Sequence, residues 1–150
     1  MILFKQKRFD ELTTTELYKI IQIRFEVFIC EQTCFYQDLD DKDFESIHLM
    51  GYENNELVAY ARLLPKGVSY ENYCAIGRVL TKETARRKGY GIELMERAIE
   101  ICQHEFGGDI KISAQQYLEK FYSNFGFKTV TEMYYEDQIP HVGMVLKVTQ

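Results

Sequence analysis

Proline is nearly missing from this 150-residue sequence, with two in the whole chain, and no repeat, low-complexity stretch or linker interrupts it. Such a chain has little room for disorder, and an apolar fraction of 46% supports a real core in one domain of this length. No apolar run approaches the roughly 20 residues that cross a bilayer. Met1 to Asp10 lacks the long apolar core and small-residue cleavage site of a secretory signal. Positive charge is in deficit too: 18 Lys and Arg stand against 23 Asp and Glu, a formal net charge of −5. A general nucleic-acid or membrane-surface binder needs a broad basic face, so neither partner is expected. Cys30, Cys34, Cys74 and Cys102 form no C-x-x-C pair. Cys30 and Cys34 could be half a zinc site, but no second pair or nearby His completes it, so the reading is free, mostly buried thiols and no metal. These absences describe a soluble, cytoplasmic, single domain over residues 1–150.

What is present reads as alternating strands and helices. Residues Ile2 to Phe9 form an opening strand, and Thr13 with Glu16 has capping-box spacing for a helix start. Leu17, Ile20, Ile21, Arg24, Phe25 and Phe28 then recur at the helical period. Cys30 to Ser46 is acidic and aperiodic, with Asp38, Asp40, Asp41 and Asp43 close together, and reads as a long loop. Strands over Ile47–Tyr52 and Leu57–Leu64 flank Asn54-Asn55, a pair that tolerates the positive φ of a hairpin turn. Tyr73 to Thr81 is a further strand. Ile92, Met95, Ile99 and Cys102 restore the helical period until Gly107-Gly108. A short strand at Ile110–Ser113, a helix at Gln116–Phe125, and closing strands at Phe127–Tyr135 and Val142–Val148 complete the order, with a turn over Asp137–Pro140. This is an α/β arrangement with a mixed sheet and helices on its faces.

The stretch from Gly77 to Ile92 carries the chemistry. A strand runs through a short loop into Gly89 and Gly91 at the mouth of an amphipathic helix. Glycine permits close backbone approach, and the first helix amides have no internal partner, so the two together make an anion cradle. From Lys82 to Lys88 there are four basic residues and one acid, a local charge of +3 in a negative protein. Leu94 stands where a dinucleotide fingerprint needs its third glycine, and no Gly-Lys-Ser/Thr follows, so Rossmann and P-loop readings fail.

Arg86-x-x-Gly89-x-Gly91 at a strand-to-helix junction resembles the pyrophosphate-binding motif of the GNAT superfamily of N-acetyltransferases. The stretch Ser113 to Phe127, with Tyr122 shortly before Gly126-Phe127, resembles the same family's later motif. Arg24 to Gln32 and Tyr135 to His141 are most similar to the ElaA-like group within it. The resemblance covers nearly the whole chain. It implies a splayed β-sheet flanked by helices on both faces, with acetyl-CoA as co-substrate in the gap between Tyr73–Thr81 and Ile110–Ser113. The pantetheine arm is then expected along main chain at Val79, Leu80 and Thr81. The pyrophosphate is expected on the loop formed by Arg86, Arg87, Lys88, Gly89, Tyr90, Gly91 and Ile92. Gln115 occupies the position at which many relatives use asparagine to hold the cofactor.

The implied reaction is direct acyl transfer to an amine of a small molecule or peptide, with no covalent enzyme intermediate. Tyr122 matches the family's general acid for the departing thiolate. His141, Glu136 and Asp137 lie together near a turn and are the candidates for a base, a water relay being the other route. Arg24 falls on the apolar side of the first helix and must meet a carboxylate, from Glu31, the loop acids or the substrate, an internal ion pair being favoured. Together with Glu31 it is a candidate for the acceptor side, which the acidic loop Glu31–Glu45 would border, favouring a cationic amine. A non-catalytic CoA-binding module remains open. So does an acyltransferase with another donor, because Arg24–Phe28 is loosely similar to acyl-homoserine-lactone synthases. A homodimer through the closing strands also stays open.

Overall fold

The computed structural model describes residues 1–148; residues 149–150, the end of the span read as one domain, lie outside the described residues. Eight strands form one sheet: β1 (Leu3–Arg8), β2 (Ile47–Glu53), β3 (Glu56–Leu64), β4 (Cys74–Thr81), β5 (Ile110–Gln115), β6 (Lys128–Thr129), β7 (Tyr134–Glu136) and β8 (Ile139–Leu146). Three α-helices accompany them: α1 (Thr14–Arg24), α2 (Tyr90–Glu105) and α3 (Glu119–Ser123). The strand order is β1-β2-β3-β4-β5-β8-β6, with β7 also on β8. Every pairing is antiparallel except β4 with β5.

That parallel pairing decides the architecture. It holds only at Cys74 with Ile110 and Ala75 with Lys111, after which the strands part. On its other side β4 stays paired with β3 as far as Thr81, through an irregularity in which Arg62 faces Gly77 and Tyr60 faces Leu80. The extra residue on β4 makes a bulge, and Arg78 takes a left-handed φ of 52° there. A bulge bends and twists its strand, which turns β4 away from β5.

The two faces are covered by different helices. Ile20, Ile23 and Val27 pack against Met50, Tyr60 and Leu80 on one face. Leu94, Met95, Ala98 and Ile101 of α2, with Tyr122 of α3, pack against Leu49, Ala61, Leu63, Ile76, Ile110 and Ile112 on the other. The chain therefore has the mixed α/β, splayed sheet with helices on both faces that the sequence implied. The capping box is formed as expected: the Glu16 amide donates to Thr13 Oγ1 at 3.0 Å and the Thr13 amide to Glu16 Oε1 at 2.9 Å. Asn54 and Asn55 both take positive φ, 50° and 67°, in the β2–β3 turn.

Several expectations need correction. The first helix buries Ile20, Ile23, Arg24 and Val27, whereas Phe25 is exposed. Helical backbone continues past Cys30, because Phe25–Glu31 is a π-helical turn. The closing segment Phe127–Tyr135 is two short strands, not one. Between them Thr131 Oγ1 accepts the Gly143 amide at 2.8 Å, so a side chain replaces the backbone partner of β8. The helix expected at Gln116–Phe125 is a 3-10 turn over Gln116–Leu118 and then the short α3. The turn after β7 is only Asp137 and Gln138, with φ of 49° and 69°, so β8 starts at Ile139 and His141 lies on a strand. All four cysteines are free, but only Cys74 and Cys102 are buried.

Candidate active site

The parting of β4 and β5 opens a cleft of about 1050 Å³. One wall is β4, whose main chain beyond Ala75 is paired only toward β3, leaving an edge of free backbone groups facing the gap. Val79, Leu80 and Thr81 lie along this edge and line the cleft. At its end the chain passes into α2 through Gly89, whose φ of 79° reverses the backbone just before the helix. No side chain caps α2, and its first internal bond runs from the Glu93 amide to the Gly89 carbonyl at 3.2 Å. The amides of Tyr90, Gly91 and Ile92 in that first turn thus have no helical partner. A Cβ on Gly89 would meet nothing within 4 Å, so the space over this turn is open. An extended chain bearing phosphates fits such a site, its main-chain-like arm on β4 and its anionic end on the helix.

The basic run beside this turn is less free than its sequence implied. Lys82 pairs with Glu56 at 2.7 Å, Lys88 with Glu53 at 3.1 Å, and Arg86 with Glu31 at 2.6 Å. Arg86 Nε also donates to the Thr81 carbonyl at 2.9 Å, which ties the loop to the end of β4. Arg86, Arg87, Gly89, Tyr90 and Gly91 line the cleft, whereas Lys88 and Ile92 present their side chains elsewhere. The residues after α1 cross the mouth of the gap. Glu31 holds Arg86, Gln32 exchanges amide hydrogen bonds of 3.3 and 3.4 Å with Gln115, and Cys34 Sγ donates to the Asp137 carbonyl at 3.0 Å.

Tyr122 lies in the inner wall, 7% exposed and edge-on to Phe121 and Phe127 at ring separations of 5.2 and 6.3 Å. Burial pushes its phenol well above the ordinary range, with Tyr117 adding to the rise, so it holds its proton throughout the working pH range. Opposite, β5, β7 and β8 bring His141 and Glu136 together. His141 Nδ1 lies 2.7 Å from the Ile139 carbonyl, which can only accept, so Nδ1 carries a hydrogen, and in the neutral ring Nε2 is then the nitrogen with the lone pair. Nε2 is 3.5 Å from Glu136 Oε2. The Tyr134 ring stacks on the imidazole at 6.1 Å, and Ser113 Oγ bridges Tyr134 Oη at 2.5 Å and Glu136 Oε1 at 3.3 Å. Asp137 also lines the cleft. Sequence reasoning missed Ser113 and Tyr134 as parts of this cluster. Burial alternates along β5, with Ile110, Ile112 and Ala114 inward, and that period-2 pattern marks Lys111, Ser113 and Gln115 as a second face.

Arg24 does not reach the cleft. It is 1% exposed, with Nε on Asp38 at 2.9 Å and Nη1 on Asp43 at 2.7 Å, so it is the internal ion pair and Glu31 is not its partner. Nor is the acidic loop a free negative rim. Arg62 takes Asp40 and Asp43, and Arg78 takes Asp38 and Asp40, giving three guanidiniums against three carboxylates. Burial alone would raise the Asp40 carboxyl, but the Arg62 and Arg78 charges hold it well below the usual range.

The comparisons with known proteins say which family has this architecture. The family model described as an acetyltransferase (GNAT) domain matches residues 12–148. The chain belongs to the GNAT acetyltransferase family. It is 41% identical over 153 residues to Protein ElaA of Escherichia coli strain K12, covering 100% of this chain and 99% of the relative. The crystal structure of Escherichia coli ElaA superposes with a TM-score of 0.91 at 39% identity, over 98% of this chain and 100% of that one. An acyl-CoA N-acyltransferase from Pseudomonas aeruginosa gives the same TM-score of 0.91 at 40% identity, over 97% and 99%. This GNAT protein is accordingly an acyltransferase, of the kind that uses acyl-CoA donors and amine acceptors. Among its described residues no helix is long and apolar enough to cross a membrane.

Proposed function

We propose that this GNAT protein is an N-acetyltransferase that moves an acetyl group from acetyl-CoA directly onto the amine of a small molecule or peptide. The observation that carries the reading is the gap itself: an open β4 edge in the same cleft as a buried tyrosine and a histidine–carboxylate pair. Val79, Leu80 and Thr81 offer main-chain groups to an extended arm, and the first amides of α2, with Arg86 and Arg87 nearby, offer donors to its phosphates. The Lys88 main chain belongs to the same loop, and Gln115 lines the cleft from the end of β5. The donor supplies an activated carbonyl, and an unpaired amide of Val79 beside the bulge can polarise it.

His141 accepts the amine proton at Nε2, the nitrogen left with a lone pair, and Glu136 stabilises the imidazolium that forms. The amine nitrogen attacks the carbonyl carbon, a C–N bond forms, and the C–S bond breaks. Tyr122 gives its phenolic proton to the departing sulfur, and the proton taken from nitrogen restores the balance through solvent. Calorimetric titration with acetyl-CoA tests the donor half. The wild-type protein is expected to bind with micromolar affinity. Gly89→Val places a branched side chain at a positive φ beside the helix amides and should weaken binding at least about tenfold in a protein that still melts cooperatively. No binding by the folded wild type removes acetyl-CoA as the donor.

A further inference from the structure

The acceptor side of the cleft is bipolar. On the face of the sheet that carries α1, the register places Arg62 beside Gly77, and Leu64, Ala75 and Lys111 in the next row. Ser113 follows Lys111 on the same face of β5, roughly 7 Å along the strand. The Ser113 end is the negative one, with Glu136 and Asp137. At the other end Lys111 Nζ lies over the rings of Tyr70 and Tyr73, at 4.8 and 5.6 Å from their centroids. Lys42 Nζ donates to Ser69 Oγ at 3.2 Å, on the residue next to Tyr70. Neither ammonium forms an ion pair among the described residues. The three-Arg, three-Asp network beneath them is balanced, so it answers neither ammonium.

Arg62 supplies the second observation. It is 4% exposed, spends both Nη atoms on Asp40 and Asp43, and keeps a buried Nε with no hydrogen-bond partner. Gly77 is the neighbour of that nitrogen across the strands: a Cβ there would stand 3.8 Å from Nε, in ordinary contact. An unpaired buried N–H is costly unless something in use answers it. Arg62, Gly77, Ser69, Tyr70 and Lys111 all line the cleft.

We infer that Lys111, Lys42 and the Arg62 Nε over Gly77 form a carboxylate subsite, so that the acceptor is an amino acid or short peptide whose amine faces His141 and Glu136. The inference rests on the proposed amine acetylation and extends it to the acceptor's far end. A carboxylate at this end can answer the orphan N–H with one oxygen and an unpaired ammonium with the other. A neutral amine would leave both unanswered.

The test uses β-alanine and β-alaninamide as matched acceptors in a thiol-release assay. Wild type should favour the acid by about tenfold or more in kcat/KM, and Lys111→Met should bring the ratio to within about threefold. Gly77→Ala, which fills the space without a left-handed φ or a clash, should narrow it as well. Equal use of the two amines by wild type, or a ratio that survives both variants, overturns the inference. A readout independent of transfer is the ¹⁵N-correlated Arg62 Nε–H resonance in protein saturated with CoA. N-acetyl-β-alanine should shift it and N-acetyl-β-alaninamide should not. A shift without turnover of either amine keeps the subsite and refutes amine acetylation. No shift, or the same shift with both compounds, refutes the subsite.

Discussion

Replacing Asp43 by alanine probes the ion-pair network that anchors the loop over the acceptor side. Asp43 Oδ1 accepts from Nη1 of Arg24 at 2.7 Å and from Nη1 of Arg62 at 3.2 Å, and its carbonyl accepts from His48 Nε2 at 2.9 Å. The three residues are 7%, 1% and 4% exposed, so water does not readily replace the lost carboxylate. Breaking a buried pair from one side costs about 3–5 kcal/mol, because the stranded charge stays buried. Here Arg24 keeps Asp38 and Arg62 keeps Asp40, so the lower end applies, about 3 kcal/mol. For a domain of this length each kcal/mol moves Tm by about 2–4 °C, which makes the expected fall about 6–12 °C. Differential scanning calorimetry at neutral pH measures it, with Glu45→Ala, an exposed loop acid without an ion pair, as the control expected within about 0.5 kcal/mol of wild type. Asp43→Asn keeps an acceptor oxygen and should fall between the two. A Tm for Asp43→Ala within 2 °C (about the control's range) would show that the network adds no net stability and that the loop is held by its backbone alone.

Two other outcomes follow from the geometry. Tyr122→Phe keeps the ring contacts with Phe121 and Phe127 and removes only the proton donor, so kcat should fall about 100-fold or more with acetyl-CoA affinity kept within about twofold; a kcat within about threefold of wild type would discard the acid role. Acid stability should depend on Glu16: burial alone would raise its carboxyl, but the Thr13 amide, Lys7 and Lys5 bring it down to about 2. Since its folded value lies below the ordinary value of 4.5, its contribution is complete above that pH and is lost as pH falls toward 2. Allowing for solvent screening, the contribution is about 1 kcal/mol, and Glu16→Gln should reduce the loss of Tm between pH 4.5 and 2 by about 2–4 °C. An unchanged slope would mean that the cap and its lysines leave Glu16 with no such role.

Local chemistry was legible in the sequence, and long-range pairing was not. Thr13 with Glu16, Asn54-Asn55, and Gly89 ahead of an amphipathic helix each encode their conformation within four residues. The alternation of Ile110, Ile112 and Ala114 with Lys111, Ser113 and Gln115 is equally local, yet Ser113 went unread as part of the site. By contrast the charge of the acidic loop, expected to border the acceptor site and favour a cationic amine, is spent on Arg62 and Arg78 as well as on Arg24, and those two partners lie 22 and 40 residues away in the chain. Composition cannot distinguish an exposed aspartate from one clamped by a buried guanidinium. The π-helical turn at Phe25–Glu31 and the break between β6 and β7 were hidden for a related reason. One is a small change in winding, and the other depends on a single hydroxyl, Thr131 Oγ1, reaching the Gly143 amide.

An unpaired strand edge is ordinarily a hazard, because it invites another chain to extend the sheet and begin aggregation. Here the free edge of β4 lies in the middle of an eight-stranded sheet rather than at its rim. β5 stands on its far side, and Glu31, Gln32 and Cys34 tether the chain across the mouth. A second polypeptide strand has nowhere to dock, since it would need both the width of a full pairing and a clear path along it. A thin, flexible thread has both. The same splay that exposes the hydrogen-bonding groups therefore rations them by width, keeping a sticky edge open to a slender molecule while closing it to other proteins.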